Sequence, residues 1–362
     1  MAVCGDAGGA AAVAPVVRAL AGRGTSVRAL AYGAACDVWR RATLPFEPIA
    51  ASSSPSAALA RGGVLVTGTS MNDAMHELRF IEAATTLGIP SIAVLDSWVN
   101  YAERFASRDG HRTIPDRIAV MDDHARADMV AAGFDAARIV ITGQPAHDDL
   151  AEQRRRFTTE TKRDVRRLLG VADDDLMIAF VSQPYAAMYG APGSATYFGY
   201  DERIVFDLLI DAASHVAHAS GRSVTILVRP HPREDAGAWT AETPRSVRIL
   251  VSRTGDARDV VMSADLVAGM TSHLLIDAAY LGRPVVSLQP SLSRTDVLPT
   301  NAIGLTVPVY DASDVTATIE SLLMDETRIR ALTTRLETIT PPAGAAERVL
   351  ALLEQLHAET RH

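Results

Sequence analysis

The stretch Ala264-Asp265-Leu266-Val267-Ala268-Gly269-Met270-Thr271-Ser272-His273-Leu274-Leu275-Ile276-Asp277-Ala278-Ala279-Tyr280-Leu281-Gly282-Arg283-Pro284-Val285-Val286-Ser287-Leu288 decides the fold. It reads as a short buried strand, a small-residue turn, a helix opening at Thr271 or Ser272, and a second apolar strand after Gly-Arg-Pro. That succession is the repeating unit of a parallel sheet covered by helices. The turn aims the N–H groups of a helix start, with hydroxyls beside them, at whatever lies beyond the strand ends. A phosphate suits such a place.

The same alternation runs along nearly all 362 residues. Strands are expected at 2–5, 26–31, 63–67, 90–95, 117–121 and 138–141, with helices at 11–21, 72–86 and 124–132. The pattern stops after Gly143-Gln144-Pro145, and the span 152–167 is rich in both charges, as a helical connector would be. A second series follows, with strands at 177–182, 223–228, 248–251, 266–269 and 284–288 and helices at 201–219, 258–264, 272–281 and 315–324. A final amphipathic helix is expected at 345–359, broken from its predecessor by Pro341-Pro342. The fold class expected is α/β, with two Rossmann-like doubly wound parallel-sheet domains facing an interdomain cleft. Their expected limits are 1–155 for an acceptor-binding domain and 156–345 for a nucleotide-sugar-binding domain. Residues 346–362 form a terminal helix that could pack back across the domains.

Composition excludes several classes. The net charge of −8 and the lack of a basic run interleaved with aromatics speak against nucleic-acid binding. Arg154-Arg155-Arg156 stands next to acids and reads as a solvated helix face. The two cysteines, Cys4 and Cys36, suit burial as small hydrophobes, and no Cys/His spacing suits zinc. No leader pattern and no apolar run near the roughly 18 residues of a membrane helix is present, so a cytoplasmic location is expected. Lys162 is the only lysine, in the polar segment Thr159-Glu160-Thr161-Lys162-Arg163-Asp164. A lysine P-loop or a Schiff-base mechanism is therefore not expected, and a bound phosphate must be met by Arg, His, hydroxyls or helix starts.

The opening Gly5-Asp6-Ala7-Gly8-Gly9 with Ala14-Pro15-Val16-Val17-Arg18-Ala19-Leu20, the segment Ile141-Thr142-Gly143-Gln144-Pro145-Ala146-His147-Asp148, and the strand, turn and Gly-Arg-Pro pattern quoted first resemble the GT-B superfamily. That superfamily includes nucleotide-sugar glycosyltransferases and UDP-N-acetylglucosamine 2-epimerases. The hydrolysing epimerases carry His-Arg-Arg-Glu-Asn where this chain has Ser182-Gln183-Pro184-Tyr185, which weakens that reading. Leu227-Val228-Arg229-Pro230-His231-Pro232-Arg233 is similar instead to polymer-forming transferases such as CDP-glycerol glycerophosphotransferases and capsule Kdo transferases. Those enzymes also place a hydroxyl pair where Thr271-Ser272 stands. The resemblance implies a GT-B fold and use of a nucleotide-activated donor.

Arg229 and His231 are expected on a stiff Pro-flanked loop at a strand end, suited to a diphosphate leaving group. Thr271, Ser272 and His273 read as a helix cap that can also hold phosphate, with Gln183 at a neighbouring strand end. Asp277, one turn onward, could reach a ribose hydroxyl, where the resemblance also implies a carboxylate; an exposed helix acid is the alternative. The glycine-punctuated loop with Tyr185, Tyr189, Tyr197, Phe198 and Tyr200 is either a base or sugar platform or a flap packed on its own domain. In the first half, Asp96 follows a buried strand and is the candidate general base for an acceptor hydroxyl, with a structural cap or a sugar ligand as its other roles. Gly8, Gly9, Ser70, Trp98, Asn100 and Arg104 complete the candidate acceptor or sugar site. His76 with Glu77 could make an acid–base pair, next to Asn72 and Asp73.

The function expected is a metal-independent glycosyltransferase with Asp96 and His231 as catalytic residues, no cofactor and no metal ligands. A role in surface polysaccharide or glycoconjugate biosynthesis would fit. Its partners would be a nucleotide-sugar donor (UDP-, CMP- or CDP-linked) and a small-molecule or glycan acceptor, with no nucleic acid, no integral membrane span and a homodimer as a candidate assembly. The alternatives are a UDP-sugar 2-epimerase or hydrolase on the same fold, and a non-catalytic nucleotide-sugar-binding protein.

Overall fold

The computed structural model describes residues 1–50, 53–60, 63–71, 74–107, 109–338 and 343–359. It divides into two compact units, Met1–Asp149 with Pro341–His362, and Leu150–Thr340.

The first unit is built on strands β1 (Ala2–Cys4), β2 (Ala29–Ala31), β3 (Glu47–Pro48), β4 (Leu65–Thr67), β5 (Ser91–Val94), β6 (Arg117–Val120) and β7 (Ile139–Ile141). All pairings are parallel, in the order β3-β2-β1-β4-β5-β6-β7. The central strands are apolar and buried on both faces, as a sheet covered by helices requires. Val13, Val16 and Val17 of the helix Ala7–Gly22 pack with Val349, Leu350 and Leu353 of the helix Ala345–Glu359 in one core. Phe80 and Ile81 of the helix His76–Leu87 pack with Leu65 in another. The terminal helix therefore belongs to this unit. Asp148 receives the first N–H groups of that helix, Ala345 and Ala346, both at 2.8 Å.

The second unit repeats the plan with β8 (Leu176–Val181), β9 (Val224–Arg229), β10 (Val247–Val251), β11 (Leu266–Gly269), β12 (Val285–Leu288) and β13 (Val307–Val309), ordered β10-β9-β8-β11-β12-β13 and parallel throughout. Its core joins Phe180, Phe206 and Trp239 with Ile319 and Leu322. The helix Glu202–Ser220 starts on Asp201, whose carboxylate accepts from Arg203 and Ile204 N–H, and stops at Gly221, at φ +67°. Chain order reverses between β1 and β4 in the first sheet and between β8 and β11 in the second. Those two crevices are where doubly wound sheets hold ligands.

The sheets contain two strands that the sequence pattern does not announce, β3 and β13, each at an edge and each containing a proline. The paired part of β2 is shorter than expected because its partner β1 offers only Ala2–Cys4. The helix expected from residue 72 begins at His76, after Met75 at φ +44°. Asn72 and Asp73, and the helix-breaking Pro341-Pro342, lie outside the described residues.

Candidate functional site

In the first unit the crevice is lined by the start of the helix Ala7–Gly22 and by the turn after β4. The two approach so closely that a Cβ on Gly9 would stand 3.0 Å from the Thr69 backbone N and O, and one on Gly8 would stand 1.8 Å from Asp96 Oδ2. A side chain at Gly8 would collide with Asp96 where it stands, and one at Gly9 would crowd the Thr69 backbone. The loops are tied by Asp6 N–H donating to Ser70 Oγ at 3.0 Å and Met71 N–H donating to Asp6 Oδ2 at 2.8 Å.

Asp96, just past β5, is buried. Its Oδ1 accepts from Thr69 Oγ1 at 2.8 Å and from Arg104 Nη1 at 2.7 Å. Arg104 also donates Nη1 to Thr69 Oγ1 at 2.8 Å and Nε to Val99 O at 3.0 Å. Oδ2 has no hydrogen-bond partner among the described residues and lies against Gly8. One carboxylate oxygen is thus spent on orientation, in an ion pair with Arg104, and the other is not.

Gly8, Gly9, Ser70, Asp96 and Arg104 come together around this crevice. Trp98 is buried and its indole N–H donates to Asp122 Oδ2 at 2.8 Å, while Asn100 is exposed at φ +60° before the short helix Tyr101–Arg104. His76 and Glu77 do not pair with each other. The Glu77 carboxylate accepts from Ser70 Oγ at 2.5 Å and from Tyr32 OH, and burial raises its pKa. The His76 ring meets Arg79 Nη1 at 3.3 Å and stands edge-on to Tyr32, with burial and then the Arg79 charge lowering its pKa.

In the second unit Gln183 Oε1, past the end of β8, accepts from Thr271 N at 3.0 Å, and Tyr185 OH bonds Thr271 Oγ1 at 2.5 Å. Ser272 caps the helix His273–Tyr280 by accepting from Leu274 N at 3.3 Å, with His273 exposed beside it. Asp277 is engaged by Arg258, whose Nε donates to Oδ2 at 2.9 Å. The aromatic loop packs on its own unit: Tyr185, Phe198 and Tyr200 are core residues, with Tyr185 and Tyr200 stacked at 5.2 Å. Gly199, at φ +97°, allows this loop to touch Ser291 O, where a Cβ would stand 1.9 Å away. Of the two readings of that loop, the geometry matches the packed flap.

Arg229, the last residue of β9, spends its guanidinium on the carbonyls of the next loop, donating to Thr254 O at 2.7 Å and to Ser252 O and Gly255 O at 3.3 Å. Arg253 does the reverse, donating to His231 O at 3.3 Å and to Glu234 O. Both cations are thus bound to neutral carbonyls beside His231. Burial, then the nearby Arg233 charge, lowers the His231 pKa. Glu234 accepts from Ser182 Oγ at 2.7 Å and from His231 N at 2.5 Å.

Sequence reasoning missed Glu234, Arg253 and Tyr32. Glu234, three residues after His231, carried a signal, since a side chain at that spacing can fold back over a tight turn; Tyr32 and Arg253 carried none. Among the described residues, no three His, Cys, Asp or Glu side chains are grouped so as to hold a metal ion.

Residues 116–327, more than half of the chain, match the model of the family described as CDP-Glycerol:Poly(glycerophosphate) glycerophosphotransferase. The chain belongs to this family. No curated protein sequence matches it. Among solved structures, this glycerophosphotransferase-family protein is similar to UDP-GlcNAc 2-epimerase from Neisseria meningitidis bound to UDP-GlcNAc, at 10% identity and TM-score 0.68 over 98% of this chain and 99% of that one. It is also similar to Anabaena Alr3699/HepE in complex with UDP-glucose, at 15% identity and TM-score 0.63 over 99% and 98%. UDP-GlcNAc 2-epimerase from Methanocaldococcus jannaschii gives 14% identity and TM-score 0.64 over 92% and 99%. At such identities the likeness is one of fold, and it is that of GT-B proteins. Family and fold make this protein an enzyme with two Rossmann-like units. Among the described residues no helix is long and apolar enough to cross a membrane.

Proposed function

We propose that this protein is a metal-independent GT-B glycosyltransferase that moves a sugar from a nucleotide-activated donor to an acceptor hydroxyl. The observation that carries the reading is the half-used carboxylate of Asp96: Oδ1 is fixed by Thr69 and Arg104, and Oδ2 is left to accept a proton. The acceptor oxygen attacks the donor's anomeric carbon as its proton passes to Asp96, and the bond to the phosphate breaks with its electron pair leaving on the nucleotide. Departure is assisted by the His231 imidazole and by the Thr271-Ser272-His273 helix start, with the Arg229 and Arg253 charges beside them. The family description makes CDP-linked donors the first to test. Neighbours in complex with UDP-GlcNAc and UDP-glucose support a nucleotide-sugar donor. Polymer or glycoconjugate synthesis is the setting that family suggests.

A sugar-nucleotide epimerase or hydrolase is the second reading, favoured by the fold of the neighbours and disfavoured by Ser182-Gln183-Pro184-Tyr185 in place of the epimerase signature. Calorimetric titration with CDP, CMP and UDP, followed by incubation of matching donors with and without acceptor, tests both. Nucleotide binding that weakens by about 1–3 kcal/mol in His231→Ala, with donor consumed only when acceptor is present, is the expected result. Donor turnover in water alone would favour the second reading. Binding without any turnover would leave a non-catalytic binding protein.

A further inference from the structure

We infer that Glu234 and Arg253 are positioning residues that hold His231 so that a single group, its Nε2–H, is presented to the substrate. The inference rests on the reading of His231 as a nucleotide-phosphate contact. It follows from accounting for every polar atom of that residue. The backbone N–H of His231 donates to Glu234 Oε2 at 2.5 Å, and its carbonyl accepts from the Glu234 N–H at 2.9 Å and from Arg253 Nη2 at 3.3 Å. Ring Nδ1 accepts from the Arg233 N–H at 3.2 Å, so Nδ1 carries no proton and the neutral ring carries its proton on Nε2. Nε2 has no partner among the described residues.

The clamps are themselves clamped. Glu234 keeps its second oxygen on Ser182 Oγ at 2.7 Å, and Arg253 reaches the Glu234 carbonyl as well. Pro230 and Pro232 fix φ on either side of His231. The ends of β8, β9 and β10 therefore converge on the backbone of one histidine, whose ring is set by the Arg233 N–H within the same turn. A donor group held this way loses little entropy when it meets a phosphate oxygen. Burial and the Arg233 charge, which lower the His231 pKa, keep the ring in the one-proton form near neutrality.

The test uses the full chain with 15N-labelled histidine. Long-range 1H–15N correlation reads the tautomer without any ligand, the His231 signals being those absent from His231→Ala. The wild type is expected to show a protonated Nε2 and an unprotonated Nδ1. In Glu234→Ala and Arg253→Ala the pattern should average between tautomers, and the Kd for CDP should rise roughly tenfold. Glu234→Gln should restore both readouts, because its amide oxygen can accept the His231 N–H while Ser182 turns to accept from the amide nitrogen. Should the alanine variants not fold, Ser182→Ala, which frees only the far oxygen of Glu234, is read the same way with a smaller weakening. A fixed Nε2–H tautomer in the alanine variants, or an averaged one in the wild type, overturns the positioning role. A lost tautomer with unchanged CDP affinity upholds positioning and overturns the contact between His231 and the nucleotide.

Discussion

Ser182 and Gln183, neighbours just past the end of β8, tie down different loops: Ser182 Oγ donates to Glu234 at 2.7 Å, and Gln183 Oε1 accepts from Thr271 N at 3.0 Å. Because β8 lies between β9 and β11, one strand end fixes both the Arg229-Pro230-His231-Pro232 loop and the Thr271-Ser272 turn. The first unit has a counterpart, where Asp6 N–H on Ser70 Oγ bridges the loops after β1 and β4. At each point of reversed strand order a side chain closes the crevice floor, so candidate groups meet a ligand already oriented.

Gly8→Ala tests the first of these crevices. Its Cβ would fall 1.8 Å from Asp96 Oδ2, and Asp96 cannot retreat while Thr69 and Arg104 hold it. Such overpacking is expected to cost about 1–3 kcal/mol of stability and to remove transfer activity. Differential scanning calorimetry and nucleotide release check it; an active, undisturbed variant would show that Oδ2 is not the working atom.

Asp96→Asn separates chemistry from architecture. The amide oxygen can keep the contacts of Oδ1 while the NH2 group takes the place of Oδ2, which has no donor facing it. Turnover should therefore fall by about 10²–10⁴-fold with donor affinity nearly unchanged. Comparable kcat in the two proteins would assign Asp96 a structural role.

Most of the sheet was legible because its inner strands are apolar runs between turn residues, such as Leu266–Gly269 before Met270-Thr271-Ser272. The edge strands β7 and β10 were legible in the same way, but β3 and β13 were not, since Pro48 and Pro308 disguise them, and proline is tolerated there because one side of an edge strand has no ladder partner. The Tyr185 loop was legible as a concentration of rings but not as a packed one, because burial comes from residues far along the chain such as Ser291 and Gln289. The Glu77 contact with Tyr32 likewise joins positions that sequence spacing cannot relate.

Lys162 is a structural cation. Its Nζ lies 2.9 Å from Asp265 Oδ1, while Arg166 reaches Oδ2 at 2.7 Å and also donates to Ser263 O at 3.0 Å and Asp175 O at 3.1 Å. Burial acts to raise the Asp265 pKa, but the two cations and the Met177 N–H outweigh it and leave it lowered. Its ion pairs therefore stabilise the fold above the ordinary aspartate range, and that contribution is lost as pH falls through the lowered value. Lys162→Met should cost about 1 kcal/mol and spare activity, whereas Arg166→Met, which strands buried acceptors, should cost about 3–5 kcal/mol. Urea unfolding at neutral pH measures both.

Glu77 should show the opposite dependence. Burial raises its pKa above 4.5, so the folded state binds the proton more tightly than the unfolded chain does. Its contribution is most favourable below that ordinary value and declines as pH rises through the raised one. Glu77→Gln, which cannot accept from both Ser70 and Tyr32 but does not ionise, should lose less stability over that window. The difference in Tm between wild type and variant, followed upward from pH 4, should shift in the variant's favour; a difference independent of pH would place the Glu77 titration at its unfolded value.

Ser272 tests the phosphate turn, where a cap and a ligand site must be told apart. Its hydroxyl accepts from Leu274 N at 3.3 Å, and Gln183 already takes the Thr271 N–H. The hydroxyls and the positive end of the helix His273–Tyr280 are what the turn offers to a phosphate. Ser272→Ala loses the cap, should lower stability by about 1 kcal/mol, and should weaken CDP binding modestly. Ser272→Asp keeps a capping oxygen and suits the helix start, so the variant should be at least as stable as the parent; its new negative charge, set against the phosphate, should abolish binding. The two substitutions thus move stability and affinity in different combinations, which a general loss of structure would not do. If Ser272→Asp binds CDP as tightly as the parent in calorimetric titration, the turn is a helix cap and the phosphate is held elsewhere in the second unit.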